Sequence, residues 1–178
     1  MSVLNFNGFA IIIFLKSMTE VYLLLGTNEG KRENNLRRAI ALLEEKFGVL
    51  RKKSSVYETE AWGLKEQAVF LNQAVCIQTS LSASDLLVEL KAIEKEAGRT
   101  PTVKWGPRVI DIDILFYGTA IINLPELKVP HPYLHQRRFT LVPLQEIAAD
   151  FIHPVFNKTV EELLSACEDV SVVKSFSA

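Results

Sequence analysis

The sequence predicts an α+β fold with the element order β-α-β-β-α-β, and three observations predict it. Two amphipathic stripes of helical period alternate with short runs rich in β-branched residues. Start or stop residues mark the helices: a serine with an aspartate three positions on opens the second, and a glycine follows each. The final run of the motif, residues 109–117, spaces two aspartates by two positions among valine and isoleucines, which is strand patterning.

Ahead of this pattern, residues 1–18 form an apolar extension centred on Phe9-Ala10-Ile11-Ile12-Ile13-Phe14-Leu15. The run is shorter than the roughly 20 residues of a membrane-spanning helix. No basic residue precedes it, as a signal peptide would require. An upstream start site or an appended strand or helix are the readings left open. Residues 19–178 are expected to form a single domain. A first strand over 21–25 ends at Gly26-Thr27-Asn28-Glu29-Gly30, a turn without the Walker A spacing. Leu36, Ala39, Ile40, Leu43 and Phe47 then trace one helix face, stopped by Gly48. Strands over 49–57 and 70–79 flank a long loop. Ser82-Ala83-Ser84-Asp85 opens a second helix, whose stripe of Leu86, Leu90, Ile93 and Ala97 ends at Gly98. The strand over 109–117 completes the ferredoxin-like order, an antiparallel sheet covered on one face by helices. A C-terminal extension follows, with a helix around 141–149 and a last helix opened by Thr159 with Glu162 three residues on.

Length and composition narrow the function. A chain of 178 residues, 48% hydrophobic and 23% charged, can bury one substantial core. A net charge of −1 excludes a protein that binds nucleic acid through general electrostatics, which needs a basic excess. The two cysteines, Cys76 and Cys167, match neither a CxxC pair nor a disulfide framework, so a reduced, cytoplasmic setting is expected, with no membrane partner.

The acidic pair carries the chemistry. On a strand, Asp111 and Asp113 point to one face, about 6.6 Å apart along the chain, and like charges held there call for compensation. Carboxylates suit Mg²⁺, which takes its other ligands from water and substrate phosphates. Arg108 just upstream offers the planar donor fork that matches phosphate oxygens. No nucleophile elbow or H-E-x-x-H is present, leaving positioning and electrostatic stabilisation as the means of catalysis.

Five ordered motifs carry a resemblance. Trp105-Gly106-Pro107-Arg108-Val109-Ile110-Asp111-Ile112-Asp113 fits W-G-P-R-x-[IL]-D-[IL]-D-[IL]; Leu25-Gly26-Thr27-Asn28, Phe70-Leu71-Asn72-Gln73-Ala74-Val75, Gly98-Arg99, and Val129-Pro130-His131-Pro132 with Arg137 and Phe139 accompany it. From residue 22 to about 166 the chain resembles the 6-hydroxymethyl-7,8-dihydropterin pyrophosphokinases of folate biosynthesis. The resemblance implies transfer of pyrophosphate from ATP to the hydroxymethyl group of 6-hydroxymethyl-7,8-dihydropterin, with release of AMP, by a monomer. It implies two Mg²⁺ ions on Asp111 and Asp113, and Arg99 and Arg108 as phosphate clamps. Glu94, Lys104, Trp105, Ile114, His131 and Arg137 would join them around ATP. Phe70 and Phe139 would stack on the pterin, Asn72 would read its edge, and Thr59, Ala61, Trp62 and Gly63 would line the loop beside it. The chain departs from the family pattern between Arg99 and Trp105, where Lys104 is the only further basic residue, and at Glu60-Ala61-Trp62, where relatives carry proline.

Other readings of a ferredoxin-like fold predict features that are missing. An RNA-recognition module needs an RNP1-like stretch, and a soft-metal carrier needs CxxC; neither occurs. A catalytically inactive regulatory paralogue is the remaining alternative, and retention of both aspartates, Arg99, Arg108, Asn72 and both phenylalanines argues against it.

Overall fold

The computed structural model describes residues 2–6, 9–13, 17–61, 66–102 and 106–177, the first two segments as backbone. The apolar start of the chain is a hairpin, β1 (Ser2–Phe6) paired antiparallel with β2 (Phe9–Ile13), and neither strand joins the central sheet. There follow β3 (Thr19–Thr27), α1 (Arg32–Phe47), β4 (Lys52–Lys53), β5 (Tyr57–Thr59), β6 (Phe70–Thr79), α2 (Ala83–Glu96) and β7 (Asp111–Tyr117). Beyond them lie the small hairpin β8 (Ile122–Asn123) and β9 (Lys128–Val129), a 3₁₀ turn at Leu134–Gln136, α3 (Arg138–Ala148), α4 (Val160–Ser165) and β10 (Val173–Ser175).

The central sheet runs in the order β10-β5-β6-β3-β7, with β4 also on β6, and every pairing is antiparallel. This is the predicted β-α-β-β-α-β arrangement, with β10 added at one edge. The single strand expected over 49–57 is broken into β4 and β5. Ser54 is the reason: its Oγ accepts the Ala74 amide at 3.0 Å while its carbonyl takes the Gln73 side-chain amide at 2.6 Å, so side chains replace part of the ladder.

Alternation along β3 decides what each face meets. Val21, Leu23 and Leu25 pack with Leu36, Ala39 and Leu43 of α1 and Leu86, Leu90 and Ile93 of α2 in one buried cluster. Gly48 ends α1 at φ +79°, a conformation that glycine adopts without penalty, and its N–H reaches the Glu44 carbonyl at 2.9 Å. At α2, Ser82 Oγ accepts the Asp85 amide at 3.2 Å, the cap that the sequence predicts. Tyr22 and Leu24 point the other way, joining Ala74, Cys76 and Phe116 beneath Leu141, Leu144 and Ile147 of α3 and Val160 and Leu163 of α4. The C-terminal extension thus covers the second face, correcting the one-sided sheet expected from sequence. Helix α3 begins three residues before 141, at Arg138, and α4 opens on a full capping box between Thr159 and Glu162. Both cysteines are unpaired, and among the described residues no helix is long and apolar enough to cross a membrane.

Because the β1–β2 hairpin pairs only within itself, deleting residues 1–17 is expected to leave solubility and the thermal midpoint of the domain unchanged. A midpoint lowered by several degrees in calorimetry would make the hairpin part of the fold.

Candidate active site

The cover over the second face ends at the start of α3, and there the sheet opens into a cavity of about 260 Å³. Its floor follows from register. Antiparallel partners share a face, and Leu24 lies opposite Asp113 on β7 while Gly26 lies opposite Asp111 on β7 and Asn72 on β6. Tyr57 and Thr59 of β5 sit opposite Asn72 and Phe70. Both aspartates, Phe70, Asn72 and Thr59 therefore project to one side, opposite α1 and α2. Gly26 keeps that floor open, since a Cβ there would lie 3.1 Å from Asn72 Oδ1. Asn72 Nδ2 donates to Thr59 Oγ1 at 2.8 Å, so the amide is fixed with its oxygen toward Gly26.

One wall is electrostatic. Arg99, just past α2, contacts Asp111 at 2.5 Å, and Arg108 pairs with the second oxygen of the same carboxylate. Glu94 stands behind them with a side chain only 2% exposed, taking Arg99 at 2.6 Å, Lys91 at 2.8 Å and the Ile112 amide at 2.8 Å. It thereby ties α2 to the backbone between the two aspartates. Burial opposes ionisation of Asp111, yet Arg108 and Arg99 outweigh it and hold the carboxyl below the usual range. Asp113 goes the other way, pushed up to about 7 by burial and by the neighbouring Asp111. The Arg108 Nε is buried with no hydrogen-bond partner among the described residues, a donor available to a ligand.

The opposite wall comes from the C-terminal extension. His131, Tyr133, Arg137 and Phe139 line it, with the Arg137 guanidinium 5.0 Å from the Tyr133 ring centroid and 5.6 Å from that of Phe139. His131 Nδ1 accepts the Tyr133 amide at 3.3 Å, which assigns the proton of the neutral ring to Nε2. Burial, reinforced by Arg137, depresses this imidazole to about 4, so it is neutral at physiological pH. A second cleft of about 280 Å³ shares Asp113 and His131 with the first and runs between α2 and β9, past Lys91, Ile114 and Lys128.

Nine residues singled out from sequence line the cavity together: Thr59, Phe70, Asn72, Arg108, Asp111, Asp113, His131, Arg137 and Phe139. Arg99 reaches it through Asp111. Glu94 does not line it but supports Arg99, Ala61 is buried outside the lining, and Ile114 faces the second cleft. Trp62, Gly63, Lys104 and Trp105 lie outside the described residues. Leu24, Gly26, Glu60 and Tyr133 also line the cavity without having been singled out. Strand parity from residue 21 would have placed the first two, whereas nothing local marks Glu60 or Tyr133. Apart from the exposed Glu60, the acidic residues of the lining are Asp111 and Asp113, and the described residues contain no cluster of three or more acidic, histidine or cysteine side chains that could cage a metal. A pair of carboxylates fits a hard cation that completes its shell with water or phosphate oxygens.

Comparison with known proteins points the same way. The family model for 7,8-dihydro-6-hydroxymethylpterin-pyrophosphokinase matches residues 22–149. The 2-amino-4-hydroxy-6-hydroxymethyldihydropteridine pyrophosphokinase of Aquifex aeolicus is 48% identical over 145 residues, 82% of this chain and 90% of that protein. The Bacillus subtilis protein of the same name is 49% identical over 127 residues, 71% of this chain and 76% of its own length. Among solved structures, wild-type Plasmodium falciparum HPPK-DHPS superposes with a TM-score of 0.66 at 18% identity, over 84% of this chain. This chain spans only 45% of that one, and the likeness speaks for the fold. The family span encloses every residue that lines the cavity, from Leu24 to Phe139. On that match and on the identity to the curated relatives, the chain belongs to the 7,8-dihydro-6-hydroxymethylpterin-pyrophosphokinase family.

Proposed function

We propose that the chain transfers a pyrophosphoryl group from ATP to the hydroxymethyl oxygen of 6-hydroxymethyl-7,8-dihydropterin, releasing AMP. One observation carries the reading: a partly buried acidic pair flanked by arginines shares a single cavity with two phenylalanines and a fixed amide. The first half is suited to a polyphosphate and a cation, the second to a flat polar heterocycle.

At the pterin end, Phe70 and Phe139 offer ring faces, and the Asn72 amide, held by Thr59, reads the heterocycle edge. The hydroxymethyl oxygen attacks the β-phosphorus and releases its proton to solvent, the bond to the bridging oxygen of the α-phosphate breaks, and that oxygen leaves with AMP. Asp111 is neutralised by two guanidinium groups. A triphosphate supplies the negative charge to which Arg99 and Arg108 can turn, which exposes the Asp111 carboxylate. His131, neutral with its proton on Nε2, donates a hydrogen bond to phosphate without adding a charge, and Arg137 adds a charged fork from the same wall. Lys91, Ile114 and Lys128 support reading the second cleft as the continuation of the nucleotide site. Mg²⁺, two ions in this reading, would be held by Asp111 and Asp113 and would supply Lewis-acid polarisation and neutralisation of the polyphosphate. The substrates and the unpaired cysteines fit a monomer working in the cytoplasm.

The nucleotide product tests the reading directly. Incubated with ATP, Mg²⁺ and the pterin alcohol, the protein is expected to yield AMP and pterin diphosphate in equal amounts by chromatography. ADP as the main product would overturn attack at the β-phosphorus, and folded protein without pterin-dependent turnover would favour the inactive paralogue. Asp111→Ala or Asp113→Ala should each keep the fold, as judged by circular dichroism, yet lower turnover by several orders of magnitude. Near-normal turnover in either variant would remove the cation from these residues. Phe139→Ala should weaken pterin binding by about 1–3 kcal/mol, the scale of a lost aromatic contact and its buried area, with nucleotide affinity little changed in calorimetry. Equal losses for both ligands would mark Phe139 as structural.

A further inference from the structure

The pterin half of the cavity is assembled from two elements that no sheet ladder connects. Helix α3 brings Phe139 in its first turn, with Arg137 as the residue before it. Strand β5, three residues long, brings Thr59 and, directly after it, Glu60. Within the sheet β5 is secured on both edges, by β6 on one side and by β10 on the other, where the Phe176 amide also reaches the Val56 carbonyl at 2.8 Å. These bonds lie in the plane of the sheet. The apolar cluster that seats α3 on β3, β6 and β7 includes no residue of β5, so the contact between β5 and the helix above it is made by other groups.

Glu146, two turns into α3 from Phe139, makes that contact. Its two carboxylate oxygens accept the Ser55 amide at 3.0 and 2.9 Å, Oε1 also accepts the Ser55 hydroxyl at 3.0 Å, and Oε2 accepts the Tyr57 hydroxyl at 2.9 Å. One carboxylate thus gathers three donors from the segment that leads into Thr59. Tyr57 is the strand partner of Asn72, the amide that reads the ligand edge. Burial, helped by Glu146, raises the Tyr57 phenol above its ordinary value, in keeping with a hydroxyl that remains the donor. Glu146 does not line the cavity. We propose that Glu146 is a positioning residue for the pterin, locking β5 to α3 and so fixing the spacing between the Thr59–Asn72 wall and Phe139. This rests on the pterin reading given above.

The test compares two ligands in each of five proteins: wild type, E146A, E146Q, Y57F and the double variant E146A/Y57F. Dissociation constants are measured by calorimetry for 6-hydroxymethyl-7,8-dihydropterin in the presence of Mg²⁺ and α,β-methylene-ATP, and for the ATP analogue alone, with the thermal midpoint of each protein. E146A is expected to weaken pterin binding roughly tenfold, the effect of losing hydrogen bonds to a charged group, and to move analogue binding by less than about twofold. E146Q keeps one acceptor oxygen and should recover part of the loss. Y57F should weaken pterin binding alone but add nothing in the E146A background, the non-additivity of groups acting as a unit. Equal weakening of both ligands in step with a lower midpoint would make Glu146 merely structural and overturn the proposal. Unchanged pterin affinity in E146A and E146Q would overturn it as well, and if E146A does not fold, E146Q and Y57F decide. A wild-type protein that binds the analogue but no pterin overturns the pterin reading and this inference with it, an outcome distinct from variants that match a pterin-binding wild type.

Discussion

The register of β3 between β6 and β7 is the constraint from which the rest of the molecule follows. Side chains alternate along a strand, so a slip by one residue would exchange the two faces of the sheet. In the observed register Leu23 and Leu25 enter the core beneath α1 and α2, while Leu24 and Gly26 meet Asp113 and Asp111 on the other side. The same slip would bury two carboxylates among leucines, at a cost that no partner there could offset. Core and candidate site thus enforce one another. The bulge in the β3–β7 pairing adds to this: Leu115 is the extra residue, and it returns Phe116 to the face where it packs against Tyr22 and Phe151. Without it, the strand that presents the aspartates could not also supply the aromatic anchor under α3 and α4.

Charge compensation is the second condition, and it is unevenly met. Glu94, Arg99, Asp111 and Arg108 form a chain of alternating sign reaching from beneath α2 into the cavity. Each member has a partner, which is what partly buried charges require. Among the described residues Asp113 has no ion pair so close: Lys91, Arg137 and Arg108 pull its carboxyl down, but less than burial and Asp111 push it up. A site that balances four charges and leaves a fifth under-compensated is suited to a ligand that brings positive charge. Glu94, an acidic residue buried in an otherwise apolar helix face, lies behind the site, where Lys91 and Arg99 compensate it.

Distance along the chain separates what was legible in the sequence from what was not. The stripes of α1 and α2, Gly48, the Ser82 and Thr159 caps and the parity of Asp111 and Asp113 are local patterns complete within a turn or two, and the sequence alone determined them. The motif resemblance extended this to Phe70, Asn72, His131, Arg137 and Phe139 without saying how they meet. Tertiary structure decided the break between β4 and β5, because Ser54 finds its partners on β6, some twenty positions away. It decided that α3 and α4 cover the second face, that Tyr133 and Glu60 reach the cavity, and that Glu146 holds Ser55 and Tyr57 from about ninety positions along the chain. Such contacts bring no periodicity or capping signature to the residues that make them. They exist only once the sheet register has fixed which faces meet, and a pattern read over a few neighbouring residues contains no record of that choice.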